Sequence, residues 1–494
     1  MKTFERQNKK TISLLISICI IAALIRLYLL GESTFWLDET ISWLWARSDF
    51  SEFLKVVWER DPNMVLYYLL LRPWLYIGQN EWVLRSLSAI FGVGAVIAIY
   101  FLGSKLFGKN VGILSAILLT IHAFHVHYSQ EARSYSLLVF LLICSTYYFV
   151  CAIESPKQNK FWVLYIISSV LAVYAHLLAI IVLVAQVLSI DLKRLKQINF
   201  LVLIRTLSIL ILLTAPYVIF SWIPAQESIE WISQPTTGDL KEFLFQLTGN
   251  QGIILTISYL ILILLALFLP QKISHSENKD NLKWQKRLLV IWFTFPIAFM
   301  YLISLLKPML VERYLLICVP PLIILASYGL FKLSQGRFHY YLSFPFILLL
   351  IILSMLGLKK YFDIRNNNIN EWKPLAEYVI SSQHSNDCIY HDYLYSSFDY
   401  YVKREIESTG KRFFPVLLNP YPLTLKNIEN KLINYERMWL IFNPDKDLYK
   451  KDGALYLIRT VLSKKFKLDE KRVFKGFGIN TGEKNIVSEL YIKK

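Results

Sequence analysis

Between residues 11 and 358 the chain is a succession of apolar blocks, most of them long enough to cross a bilayer, and no soluble architecture absorbs that pattern. In lipid, backbone polar groups must be satisfied inside one segment or in a closed barrel. The blocks are continuous rather than alternating with period two, so they are read as helices. Eleven spans are expected, at roughly 11–30, 82–103, 111–128, 134–152, 161–176, 177–190, 200–222, 252–270, 288–306, 314–334 and 339–358. A hydrophobic fraction of 55% and a mean hydropathy of +0.43 agree with a membrane protein. Residues 64–78 are apolar too, but short and broken by Pro73. They are placed on the membrane surface or in a re-entrant loop; if they span, the topology after them inverts. The first apolar run lacks a small-x-small cleavage site, so it is read as a retained signal anchor.

Loop charges orient the spans. With the N-terminus inside, the inner face receives Lys2, Arg6, Lys9 and Lys10, then Lys105 and Lys109, then Lys157 and Lys160, then Lys193, Arg194 and Lys196. The 271–287 loop adds five more basic residues, and Lys332 and Arg337 follow. The outer loop 223–247 has Lys241 as its one basic residue. This is the positive-inside pattern, and it explains the formal net charge of +17 with no nucleic acid partner. The expected location is a plasma (inner) membrane, multi-pass, with a cytoplasmic N-terminus. Of five cysteines, only Cys388 lies in the polar C-terminal region, so no disulfide within that region and no metal spacing arises.

After residue 358 charge rises and apolar runs shorten. Residues 1–358 are read as the membrane domain, with a first outer loop at about 31–81, and residues 359–494 as a soluble domain outside the membrane. WKPLAEYVISS and ALYLIRTVLSKKFK read as helices, DCIYHD and RMWLIFNP as strands. The fold class is therefore an α-helical polytopic membrane protein of about eleven spans with a C-terminal extracytoplasmic α/β domain.

Three charged clusters fall on the outer face. Asp38 and Glu39 sit in FWLDET, among Trp36, Trp43 and Trp45, at headgroup depth. Glu131, Arg133 and Tyr135 belong to QEARSY, before the fourth span. Lys307 and Arg313 belong to KPMLVERY, before the tenth, where paired cations suit a phosphate. Arg60 and Asp61 precede the surface segment, and His176 ends the fifth span. Taken singly, each cluster is equally readable as a cap, an interfacial anchor or a snorkelling side chain. Their confinement to one face favours a site. His122, His125 and His127 do not share a helix face and are assigned no metal.

In this order, WLDE, the DPxxxxYYLLLRPWLYIGxxEWxLRSLSAIFG stretch, YSQEARSYSLL, YAH and ERYLL resemble the GT-C-type membrane glycosyltransferases. Nearest in pattern is the bacterial group related to the protein O-mannosyltransferases and the lipid A aminoarabinose transferase. The resemblance covers roughly the first 335 residues. It implies inverting transfer of a sugar from a polyprenyl-phosphate donor to a glycan, lipid or protein hydroxyl. Asp38 would be the catalytic carboxylate, with Glu39 beside it orienting the acceptor or helping to hold a divalent cation such as Mg or Mn. Arg133, positioned by Glu131, and Arg313 would meet the donor phosphate, with Arg60 and Lys307 as further contacts. Tyr135, His176 and Asp61 would position donor or acceptor. The chain departs from the pattern at Pro62 to Met64, where relatives often carry His-Pro-Pro or Lys-Pro-Pro. The alternative reading is a transporter or flippase of lipid-linked sugars. Transporters favour midplane charges and internal repeats, whereas these charges keep to one face and no repeat is evident.

Overall fold

The computed structural model describes residues 2–59, 63–198, 200–228, 232, 234, 236–249, 252–270, 279–335, 339–367, 371–384, 386–391, 396–409, 416–418, 424–442, 454–478 and 482–494. It is a mostly helical polytopic protein with a small C-terminal sheet. Two compact units divide it. One joins Met1–Leu30 to Ser42–Asp363; the other joins Gly31–Ile41 to Ile364–Lys494.

The first unit is the membrane part. Its helices are α1 (Lys2–Leu27), the second and later turns of α2 (Leu37–Arg47), α3 (Phe50–Glu59), α4 (Val65–Trp74), α5 (Glu81–Phe107), α6 (Lys109–Thr120), α7 (Ala123–Ser129) and α8 (Tyr135–Glu154). They continue as α9 (Asn159–Ala175), α10 (Ala179–Leu188), α11 (Leu192–Gln197), α12 (Phe200–Ser228), α13 (Thr237–Leu247), α14 (Ile253–Phe268) and α15 (Lys279–Ser304). A 3-10 turn (Glu312–Cys318) leads into α16 (Val319–Ser334), and α17 (His339–Asn367) closes the series.

Among the described residues, seven helices are long and apolar enough to cross a membrane, and eight if α6 and α7 form one span bent by 64°. The bend falls at His122, whose backbone is extended. The expected spans 161–176, 177–190 and 252–270 fall on α9, α10 and α14, which are apolar but of 17, 10 and 16 residues. By length and composition, seven or eight of the eleven expected spans qualify among the described residues. Helix α4 is only 10 residues long, well short of a crossing. Outward-facing Leu201, Ile211, Leu212 and Ile219 give α12 the apolar surface that lipid solvates.

Inside the unit, helices approach where glycine allows it. A Cβ on Gly112 would lie 2.5 Å from Tyr100 O, and one on Gly329 would lie 2.1 Å from Leu262 O. These contacts seat α6 on α5 and α16 on α14 by the small-residue packing that replaces hydrophobic driving force in lipid. Buried cations are held by main-chain dipoles. Arg26 donates to Ala22 O, Leu119 O and Thr120 O and meets His125 Nδ1 at 2.9 Å. Lys332 Nζ donates to Ala266 O and Leu269 O, at the end of α14 where carbonyls lack helical partners.

The second unit carries a five-stranded sheet in the order β2-β1-β3-β5-β4. Its strands are β1 (Asp387–His391), β2 (Val416–Leu417), β3 (Arg437–Phe442), β4 (Phe466–Gly478) and β5 (Gly482–Lys493). Pairs β1/β2 and β1/β3 are parallel, whereas β3/β5 and β4/β5 are antiparallel. Helices α18 (Trp372–Ser382), α19 (Ser396–Thr409), α20 (Leu425–Leu432) and α21 (Ala454–Lys465) accompany it. Met438, Leu440 and Phe442 alternate on β3 and share one apolar cluster with Ile428 of α20 and Ile458 of α21. Trp439 points the other way, edge-on to Tyr378 of α18 at 5.4 Å.

The expected boundary at 358/359 runs through α17. The change of unit comes at Asp363/Ile364, and Gly31–Ile41 of the first loop groups with the C-terminal residues.

Candidate active site

In the membrane unit the site is built around the turn between α7 and α8. Gln130 anchors that turn. Its Nε2 donates to Arg26 O (2.9 Å) and Tyr28 O (2.8 Å), and its Oε1 accepts from Tyr361 OH (2.8 Å). The side chain thereby satisfies carbonyls in and just past the last turn of α1 and fixes where the following residues point. Glu131 Oε1 lies 2.9 Å from His127 Nε2, four residues earlier, and the Glu131 carbonyl accepts from the Arg133 N–H.

Arg133 then turns inward and is 6% exposed. Its NH1 donates to Tyr68 OH (3.3 Å) and Ser42 Oγ (3.4 Å), and its carbonyl accepts from Ser88 Oγ (3.0 Å). A guanidinium so buried keeps its charge only among polar groups, and hydroxyls are good partners because they do not neutralise it. Ser42 lies on α2, and Tyr68 on α4. Serine and tyrosine thus join α2 and α4 to the α7–α8 turn.

Tyr135 opens α8 and is buried, its ring 5.1 Å from Tyr128 and 5.7 Å from His176. His176 caps the C-terminus of α9 and lies 5.8 Å from the Tyr314 ring. Arg313 lies 5.9 Å from the same Tyr314 ring centroid. Of the expected residues, then, Tyr135 and His176 are joined by ring contacts that run on to Tyr314, the neighbour of Arg313, while Glu131 and Arg133 lie in the turn that leads to Tyr135. Lys307 is exposed just past the end of α15. Arg60 and Asp61 lie outside the described residues.

Asn63 is a member that sequence reasoning passed over. Its Nδ2 is 3.3 Å from His176 Nε2, and its Oδ1 accepts from Leu177 N–H (3.2 Å). The adjacent Met64 holds φ at 72°, a left-handed conformation that costs a branched or bulky side chain energy and turns the chain into α4. The departure at Pro62 to Met64 was the one available signal, and it showed only that the usual residues were missing.

The acidic pair belongs to the second compact unit. Asp38 and Glu39 occupy the first turn of α2, where the helix dipole favours ionised carboxylates. Glu39 is 1% exposed, and its Oε2 accepts from Trp36 N–H at 3.4 Å. The loop before it is fastened within that unit: Phe35 N–H donates to Tyr401 OH (2.8 Å), and Thr40 Oγ1 meets Ser397 Oγ (3.5 Å). Consecutive residues leave a helix about 100° apart, so Asp38 and Glu39 do not point to one place. Together with the turn of Glu39 back onto Trp36, this makes the pair a poor cation site. No group of three His, Cys, Asp or Glu suited to a metal occurs among the described residues.

Comparison with known proteins fits these features. Residues 61–220 match the family described as dolichyl-phosphate-mannose-protein mannosyltransferase. No curated protein matches the chain in sequence. Among solved structures, the chain is similar to ArnT from Cupriavidus metallidurans in the apo state, with TM-score 0.61, 11% identity and 98% of each chain covered. The same protein bound to undecaprenyl phosphate gives TM-score 0.59 at 11% identity, with 97% of each chain covered. The archaeal oligosaccharyltransferase AglB from Archaeoglobus fulgidus, in complex with an inhibitory peptide and a dolichol-phosphate, gives TM-score 0.57 at 12% identity. That match covers 94% of this chain and 73% of AglB. The fold is that of ArnT and AglB, multi-pass and mostly helical, in agreement with the fold that the motif resemblance implied.

Proposed function

We propose that this GT-C-type protein is an inverting glycosyltransferase that moves a sugar from a polyprenyl-phosphate donor to an acceptor hydroxyl at the outer face of the membrane. The observation that carries the reading is Arg133, a buried guanidinium at the end of an apolar helix, set among hydroxyls and aromatic rings. A polyprenyl carrier cannot leave the bilayer, so its phosphate stays at headgroup depth. An enzyme that uses it needs cations at that depth with apolar helices below.

Arg133 and Arg313 would hold the donor phosphate, while Tyr135 and His176 form the aromatic wall beside it. Asp38 would accept the proton of the acceptor hydroxyl as its oxygen bonds to the anomeric carbon. Meanwhile the bond from that carbon to the phosphate oxygen breaks, and polyprenyl phosphate leaves with the bonding electrons. A positioned carboxylate contributes about 10²–10⁴-fold to such a step. Arginines that bond more tightly as charge grows on the leaving phosphate stabilise the transition state further. One carboxylate on the acceptor side and cations on the leaving side suffice for inversion. Glu39 supports the start of α2, and no step runs through a metal.

The test is a cellular one. Cells carrying Asp38→Asn should accumulate a lipid-linked sugar and lose the matching residue from a surface glycan, lipid or protein. Unchanged pools of both would sink the reading. For the outer-face orientation, a cysteine placed in the 271–287 loop should resist an impermeant reagent applied from outside, and labelling there would invert the topology.

A further inference from the structure

A second polar cluster lies at the far end of α8. Arg133 precedes this helix and Glu154 ends it; its 20 residues separate them by about 30 Å. Beside Glu154 is a cavity of about 410 Å³, lined in part by Asp191, Lys193, Arg194, Gln197 and Asn281.

The carboxylates around this cavity are each engaged. Glu154 Oε2 pairs with Lys105 Nζ at 2.7 Å, and its Oε1 accepts from Asn281 Nδ2 (3.0 Å) and Gln285 Nε2 (3.3 Å). Asp280 pairs with Lys193. Asp191 Oδ1 accepts the Arg194 N–H at 2.8 Å and so starts α11.

Arg194 differs from them. It is 8% exposed, and its guanidinium lies 4.0 Å from the ring centroid of the buried Trp284. Among the described residues, its guanidinium donates one hydrogen bond, from NH2 to Asn281 Oδ1 at 2.7 Å, and Nε finds no partner. The guanidinium lines the cavity with most of its five donors unmatched by protein acceptors among the described residues. Leaving buried donors unmade is costly, and a stacked, pre-oriented fork is suited to an oxyanion. The lining itself sets Glu154, Asp191 and Asp280, each engaged, against Lys193 and Arg194, and the excess of positive charge lies in the wider surroundings. Residues 105–109, 154–160, 191–197 and 280–287 together hold ten Lys or Arg against three Asp or Glu.

We propose that this cavity binds a phosphate group, with Arg194 as its main ligand and Lys193 and Gln197 at its rim. The site stands apart from the one around Arg133 and does not depend on the sugar-transfer reading. The phosphate could be carried by an anionic phospholipid headgroup or be free in solution, and both present the same oxygens to the fork.

The test uses the full-length protein in two arms. In nanodiscs of phosphatidylcholine doped with phosphatidylglycerol, native mass spectrometry would count anionic lipids retained per chain. In lipid-stripped detergent, equilibrium dialysis would measure labelled inorganic phosphate. Saturable binding is expected in at least one arm: retention in the first identifies a headgroup, binding in the second a soluble phosphate. Arg194→Gln should weaken it at least about 10-fold. Gln197→Glu should weaken it several-fold, because it sets a carboxylate at the rim while leaving every contact of Arg194 in place. Since Gln197 is exposed, that variant tests the site even if Arg194→Gln does not fold. No saturable binding in either arm, or binding unaffected by Gln197→Glu in a folded protein, would overturn the proposal.

Discussion

The two compact units treat buried charge in opposite ways. In the membrane unit, Arg26 and Lys332 are held by main-chain carbonyls, with an imidazole added for Arg26. In the C-terminal unit the buried Glu489 is met by Arg459 at 2.7 Å, Lys471 at 3.2 Å and Tyr491 OH at 2.9 Å. Dipoles solvate a cation without cancelling it, whereas an ion pair leaves little net field outside itself. The membrane unit can therefore keep positive charge at low dielectric, which an anionic lipid carrier requires. In the C-terminal unit, opposite charges are spent on one another and serve the fold.

Asp38 is the sharpest challenge to that contrast, because it is a carboxylate grouped with the second unit. Asp38→Asn should lower sugar transfer at least about 100-fold, as expected for loss of a general base. Glu489→Gln should leave transfer within about twofold, since that carboxylate is committed to the fold of its own unit. Turnover measured on both variants in one preparation decides the matter. Near-normal transfer by Asp38→Asn would make its carboxylate structural as well.

The next largest effect is expected at Arg133. Replacement by alanine should weaken binding of the proposed polyprenyl-phosphate donor by roughly tenfold or more, since a hydrogen bond to a charged partner contributes about 1.5–3 kcal/mol. Arg133→Lys should recover only part of it, because an ammonium cannot grip a phosphate with two parallel bonds. Binding unchanged in the alanine variant would place the buried charge among the structural ones. Glu489→Gln should in turn destabilise the C-terminal unit by about 1–2 kcal/mol. That is less than a fully buried pair would give, because Arg459 and Lys471 are partly exposed. Hydrogen exchange of β3 and β5 would register it.

What was legible in advance follows the range of the interactions. Apolar blocks announce helices because a span satisfies its own backbone. Trp372–Ser382 was legible from its amphipathic spacing, and β1 and β3 from short apolar runs. Helices α15 and α17 extend into KDNLKWQKR and KKYFDIRNN, polar turns that an apolar scan cuts off at 288 and 358. The β4–β5 hairpin was missed because FKLDEKRVFKGFG is rich in charge and lacks a clean apolar run, as befits a strand at the edge of its sheet. The grouping of Gly31–Ile41 with the C-terminal residues rests on partners such as Phe35 and Tyr401, separated by 366 positions, and no local pattern encodes that. In the candidate site, charged residues stood out against apolar neighbours, so Arg133 and Arg313 were singled out. Asn63 and Gln130 act by bonding to a ring nitrogen or to backbone, and neutral amides give no such contrast.

The smallest expected effect concerns a charge that lies outside the spans and is paired with its own helix. Thr236 Oγ1 accepts from Asp239 N–H at 3.3 Å, and Asp239 Oδ2 accepts from Thr236 N–H at 2.7 Å, a capping box at the start of α13. The Thr236 backbone bond, then its hydroxyl, hold the Asp239 carboxyl below the ordinary aspartate range. A depressed folded pKa means the ionised form is favoured in the folded state. The contribution is therefore present above the unfolded pKa and is lost as pH falls through the folded one. Thr236→Ala should loosen α13 by about 0.5–1 kcal/mol near neutral pH. The gap from the parent protein should close as the medium is acidified below the ordinary aspartate range. Exchange of the 237–247 amides, normalised to their intrinsic rates, would follow it. A gap that persisted in acid would assign the cap to the threonine hydroxyl alone. Its closure would mark Asp239 as a charge used locally, in contrast to the cations that the membrane unit holds in reserve.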